Sequence, residues 1–102
     1  MHFHDFHAVL APSCQQLMNE LLKDSVACRY DRFGIHLGLS PDTIECITMN
    51  HRDVYRCLVN IINHWVNNYH VSWSAVASAL DQIDCRNMAE TICQKYNVVV
   101  VG

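Results

Sequence analysis

The chain has only three glycines and two prolines in 102 residues. The glycines, at positions 34, 38 and 102, are too few and too scattered to form a loop that cradles a phosphate. No stretch alternates apolar and polar residues before the last few positions, so a sheet protein is not expected. No apolar run approaches the roughly 20 residues that span a bilayer. The start, Met1-His2-Phe3-His4, lacks the basic stretch and apolar block of a secretory signal. His at position 2 and the ending Val100-Val101-Gly102 fit no lipidation pattern. Neither a membrane partner nor a targeting segment is expected from this stretch. Seven Lys and Arg stand against ten Asp and Glu, for a net charge of -3. No basic cluster is present, which speaks against nucleic acid as a partner.

What is present is the composition of a folded domain, 51% hydrophobic and 17% charged. A chain of this length forms one domain with a modest core of its own. The six cysteines, Cys14, Cys28, Cys46, Cys57, Cys85 and Cys93, are scattered, and most sit among Leu, Ile and Val. That spacing fits reduced thiols of a cytoplasmic protein better than a disulfide framework.

Periodicity predicts helices throughout. After a His-rich leader over residues 1–12, Ser13 and Gln16 form a capping box. On the first helix Cys14, Leu17, Met18, Leu21 and Leu22 share a face. A second helix covers about 27–37, with Tyr30, Phe33 and Leu37 inward and Gly38 just past its end, where a left-handed backbone is needed. Ser40-Pro41 opens a third, with Asp42 and Glu45 near its start and Ile44 and Ile47 inward. Asn50 is read as the cap of a long fourth helix, about 51–68. There Val54, Leu58, Ile61 and Trp65 form one stripe, and Tyr55, Val59, Ile62 and Val66 a second flank. Arg56, Asn60, Asn63 and His64 are read as its polar face, and residues 67–70 as a loop. Ser72 caps a fifth helix with Trp73, Val76, Ala77, Leu80 and Ile83 inward. Asp84 is read as the cap of a sixth, with Met88, Ala89, Ile92 and Tyr96 inward. Short connections favour antiparallel neighbours in an all-α bundle. Residues 98–102 are a tail of strand-prone valines.

No reactive constellation emerges. His2, His4 and His7 have no partners at zinc-finger spacing, so no metal is expected. Cys57 and His64, seven residues apart on a helix, lie about 10 Å apart, too far for a nucleophile and its base. They are read as a boundary Cys and a solvent-facing His. Asp81 and Asp84 read as an exposed side chain and a cap, not as an acid–base pair. Trp65 and Trp73 fall on apolar stripes and read as core. A metal-dependent or thiol enzyme is therefore disfavoured.

The ordered landmarks are Tyr30, Phe33-Gly34, Leu37-Gly38-Leu39, Ser40-Pro41-Asp42-Thr43-Ile44, Trp65, Ser72-Trp73, Ala79-Leu80 and Met88-Ala89-Glu90. Over residues 13–97 this set resembles a death domain of the death-fold superfamily. Tyr30 stands where that family usually carries Trp, and charge on the second and third helices is thinner than usual. The resemblance implies a six-helix antiparallel bundle in Greek-key order, with no catalytic residues and no cofactor. It implies homotypic association with other death-domain proteins or copies of itself, often as helical oligomers, in cytosolic signalling of the apoptotic or innate-immune kind.

The resemblance also implies three asymmetric contacts. One sets Arg29, Asp31, Arg32, Asp42 and Glu45 against Glu20, Asp53 and Arg56. A second uses Asn67, Asn68, Tyr69 and His70 against the sixth-helix side. The third uses Asp42, Thr43, Asn50 and Arg52. The alternative expectation is a helical scaffold domain of a larger receptor or adaptor that does not self-associate.

Overall fold

The structure, a computed structural model, describes residues 11–100. These residues form seven helices and no strand: α1 Cys14–Leu21, α2 Asp24–Ala27, α3 Tyr30–Leu37, α4 Pro41–Asn50, α5 Val54–Asn68, α6 Trp73–Gln82 and α7 Arg86–Tyr96. The all-α expectation holds among them. The seventh helix arises because the segment between the first two expected helices contains its own turn, α2.

Helix starts follow from side chains that satisfy orphan backbone donors. Ser13 Oγ accepts from the Gln16 N–H at 3.1 Å while Gln16 Oε1 accepts from the Ser13 N–H at 2.9 Å, the expected capping box. Ser40 and Ser72 accept from the N–H groups of Thr43 and Ala75 at 3.2 and 3.1 Å. Two expected caps are corrected. Asn50 ends α4, its side-chain amide donating to the Cys46 carbonyl at 2.7 Å. Asp53 caps α5 instead, accepting from the Tyr55 N–H at 3.1 Å. Asp84 does not start α7, whose N-cap is Cys85. It ends α6 instead.

Three helix ends share one device. Gly38, Asp84 and Asn97 have φ of 103°, 64° and 56°. In each case the next residue's N–H reaches back five positions: Leu39 to Gly34, Cys85 to Leu80 and Val98 to Cys93, at 3.0, 2.8 and 3.1 Å. This left-handed stop is completed by an apolar side chain folding back onto the helix. Leu39 and Cys85 are buried and Val98 packs against the core.

The core forms around α5. Its stripe of Leu58, Ile61, Ile62 and Trp65 is buried, and α5 packs against α1, α2, α3 and α4. The pair α6–α7 closes the other side of α3 through α6. Trp73 stacks on Tyr96 with centroids 3.7 Å apart and planes 8° from parallel. Both tryptophans are core residues, as expected. Among the described residues no charged or polar side chain is buried.

Other expectations need correction. Leu22 lies past the end of α1, where the backbone turns, and is 41% exposed. Residues 67 and 68 belong to α5 and not to a loop. Cys57 is buried rather than at the boundary, and His64 and Asn63 are half-buried. Asn63 accepts from the Cys14 thiol at 2.6 Å, tying α5 to α1; burial pushes that thiol's pKa up. Cys28 and Cys46 are exposed, so the cysteines are not uniformly interior. The three N-terminal histidines lie outside the described residues. Among the described residues no helix is long and apolar enough to cross a membrane.

Gly34 lets α3 approach its neighbours. A Cβ there would lie 3.0 Å from Ile61 Cδ1 and 3.1 Å from Ile44 Cδ1. Gly34→Val is expected to lower stability by about 2–3 kcal/mol through overpacking. Gly38→Ala is expected to cost about 1–2 kcal/mol through its left-handed backbone. Urea denaturation of the two variants checks both values.

Candidate functional site

With no charged side chain buried among the described residues, the informative question is which of their charges the chain already uses. Arg29, expected to face a partner, is half-buried and donates to the Ile83 carbonyl, with Cys85 Sγ 3.8 Å away. It ties the turn before α3 to the end of α6. Glu20 is likewise engaged: its carboxylate accepts from Lys95 Nζ at 2.5 Å and from the Tyr96 hydroxyl at 2.8 Å. Arg86 pairs with Asp81 at 3.5 Å. The hollows between α1–α2 and α7 have Glu20, Lys23, Arg29, Arg86 and Met88 among their lining, and three of those four charges, Glu20, Arg29 and Arg86, are already engaged within the chain.

The α3–α4 face differs. α3 presents Asp31, Arg32 and Ile35, and α4 presents Pro41, Ile44, Glu45 and Thr48. Between them runs an open groove of about 420 Å³ with mainly apolar walls. The residues recur at helical spacings of one, three and four on both helices, so each set forms one face. At one end the Tyr30 hydroxyl and Thr48 Oγ1 share a hydrogen bond of 2.6 Å that holds the helices together. Partial burial, and after it the neighbouring Cys57, raise the Tyr30 pKa against the opposing effect of the Thr48 bond. Asp31 accepts only the adjacent Arg32 backbone N–H, at 2.8 Å. Among the described residues Arg32, Asp42 and Glu45 have no ion pair.

A second unspent group stands at the start of α5. Arg52 and Arg56 are exposed and have no ion pair among the described residues. Between them Tyr55 is 39% exposed, although its flank partner Ile62 is buried. The Asp53 carboxylate is spent on capping α5. Met49, on the last turn of α4, is 79% exposed. Asn68 donates to the His64 carbonyl at 2.9 Å. Tyr69 lies half-open beside His64, ring centroids 6.2 Å apart, over Gly38. His70 and Asn67 are exposed.

Of the expected partner residues, the structure brings together Asp31, Arg32 and Glu45 on one groove, with Asp42 one turn away on the exposed side of α4. It sets Arg52, Asp53 and Arg56 together at a second place. Asn68 and Tyr69 form a third, and Arg29 and Glu20 are committed internally. Sequence reasoning missed Ile35, Pro41 and Thr48 as groove residues. The available signal was Ile35 one turn from Asp31 and Arg32 on one helix, and Ile44 next to Glu45 on the following one.

Among the described residues no group of three or more His, Cys, Asp or Glu is placed to hold a metal ion. Comparison with protein families, curated proteins and solved structures gives no match.

The Glu20 cluster gives a stability prediction. Partial burial opposes ionisation, but the hydrogen bonds from Lys95 and Tyr96 and the charges of Lys95 and Lys23 outweigh it, holding this carboxyl below the usual carboxylate range. A folded-state value below the unfolded one adds stability above the unfolded value, about 4.3, which is lost as pH falls through the folded one. Glu20→Gln is therefore expected to have a lower urea midpoint than the native chain at about pH 6–7. The two midpoints should converge as pH falls to about 3, with a flatter acid limb for the variant.

Proposed function

We propose that this chain is a protein–protein interaction module. It associates with copies of itself or with other domains of the death-domain type, in a cytosolic signalling complex of the apoptotic or innate-immune kind. The arrangement read into it is the six-helix Greek-key death fold, with α2 as an added turn between the first two helices. Support comes from the landmark residues taking the roles the resemblance implies. Gly38 stops α3, Ser40-Pro41 starts α4, Trp65 is buried on α5, and Ser72-Trp73 starts α6.

The observation that carries the reading is the distribution of unspent charge. Asp31, Arg32 and Glu45 line an apolar groove with Asp42 one turn away, and Arg52 and Arg56 flank an exposed tyrosine. An exposed ion pair contributes only about 0–1 kcal/mol. A contact repeated between copies uses such pairs to set register and partner choice. Distinct donor and acceptor surfaces make that contact heterologous, so it can extend beyond a dimer. Asn68 and Tyr69 offer a further contact surface.

Light scattering coupled to size exclusion, from micromolar to near millimolar chain, tests this. Mass is expected to rise with concentration and to fall as salt goes from about 0.05 to 0.5 M, where screening shortens from over 10 Å to a few Å. Arg56→Glu alone and Glu45→Arg alone are each expected to weaken association about tenfold, and the two together in one chain to recover part of it. Mass unchanged at every concentration overturns self-association and leaves a heterotypic partner or the scaffold reading.

A further inference from the structure

We infer that Met88 is a site of reversible oxidation. Its thioether takes one oxygen from a peroxide, and Ser25 holds the resulting sulfoxide across the seam between α2 and α7. This role does not depend on whether the chain associates with itself.

Three observations carry it. First, the Met88 sulfur already has a donor. Ser25 Oγ donates to Met88 Sδ at 3.6 Å, joining α2 to α7 over a separation of 63 residues. A thioether is a weak acceptor. A sulfoxide presents a polar oxygen in its place, and the same hydroxyl is positioned to donate to it. Second, Met88 stands between two hollows of different character. On one side Lys23, Thr91 and Ile92 help enclose about 160 Å³ with mainly apolar walls. On the other, Ser25, Arg29, Arg86 and Asn87 border about 340 Å³ with mixed polar and apolar walls. Met88 is half-buried, so peroxide reaches it from the surface and the new oxygen has the polar hollow to enter.

Third, the other methionines lack this setting. Met49 is 79% exposed, so its sulfoxide would stay in water. Met18 packs against the core and lines neither of these hollows. Met1 lies outside the described residues. Met88 also packs against the core on its apolar side. Oxidation therefore loosens that side of the seam while Ser25 retains the other.

In the reaction a sulfur lone pair attacks one oxygen of hydrogen peroxide. The S–O bond forms as the O–O bond breaks, and the departing hydroxide takes the proton of the transferred oxygen to leave as water. Sulfur loses two electrons and the peroxide gains them. Sulfoxide reductases reverse the change.

The test treats the whole chain, carrying Met49→Leu, with hydrogen peroxide and follows each methionine by peptide mass. Met88 is expected to oxidise at least about tenfold faster than Met18, as its more open setting requires. Urea denaturation then compares this chain with one that also carries Ser25→Ala, an exposed position. Before oxidation the substitution should change the folded-to-unfolded ratio by about twofold or less, since a thioether accepts weakly. After oxidation it should lower the ratio about fivefold, the value of one ordinary hydrogen bond. Adding Met88→Leu to both chains should abolish the difference between the two states. A Met88 that oxidises no faster than Met18 overturns this role. So does a Ser25→Ala effect that oxidation leaves unchanged, or an oxidised chain that no longer folds.

Discussion

Everything in this molecule hangs on the burial of one face of α5. Leu58, Ile61, Ile62 and Trp65 are almost fully withdrawn from water, and four other helices pack around them. Burying a side chain of this kind contributes about 1.5–3 kcal/mol, so this stripe is a large share of what a small domain can muster. The close approach at Gly34 and the left-handed stops at Gly38, Asp84 and Asn97 serve the same end. They turn each helix back onto the post before it runs past the core.

An interior built only from apolar groups leaves recognition to the surface. Some surface charge is then recruited to hold the ends of the chain together. Glu20 joins α1 to α7 through Lys95 and Tyr96, and Arg29 joins the turn before α3 to α6. Among the described residues, part of the charge left over sits around the α3–α4 groove and at the start of α5, and the rest, Lys23, Asp24, Asp84 and Glu90, lies elsewhere on the surface. Stability thus draws on one part of the charge inventory and leaves another part open to solvent.

Much of the helical layout was legible because each start and stop is chemically local. Ser13, Ser40, Ser72 and Gly38 do what their neighbours in sequence predict. Asn50 and Asp53 could not be ranked, because both are good caps, and Asn50 is drawn to the Cys46 carbonyl behind it. Asp84 was misplaced for a similar reason: an aspartate also tolerates the left-handed backbone that ends a helix. The site was legible in part. Asp31, Arg32 and Glu45 lie where the expected charged face places them. Arg29 and Glu20 do not, since their partners, Ile83 and Lys95, are 54 and 75 residues away. No local pattern announces a contact at that separation. The groove's apolar walls were hidden for the converse reason, because Ile44 also counts as core.

The most direct test of the account is a concentration series of amide NMR spectra on uniformly labelled chain, read residue by residue. The account predicts shifts and broadening confined to two separate groups as concentration rises. One is Asp31, Arg32, Ile35 and Glu45, and the other is Arg52, Tyr55 and Arg56. Spectra that change at the α1–α7 hollow, or that do not change at all up to millimolar chain, would contradict it.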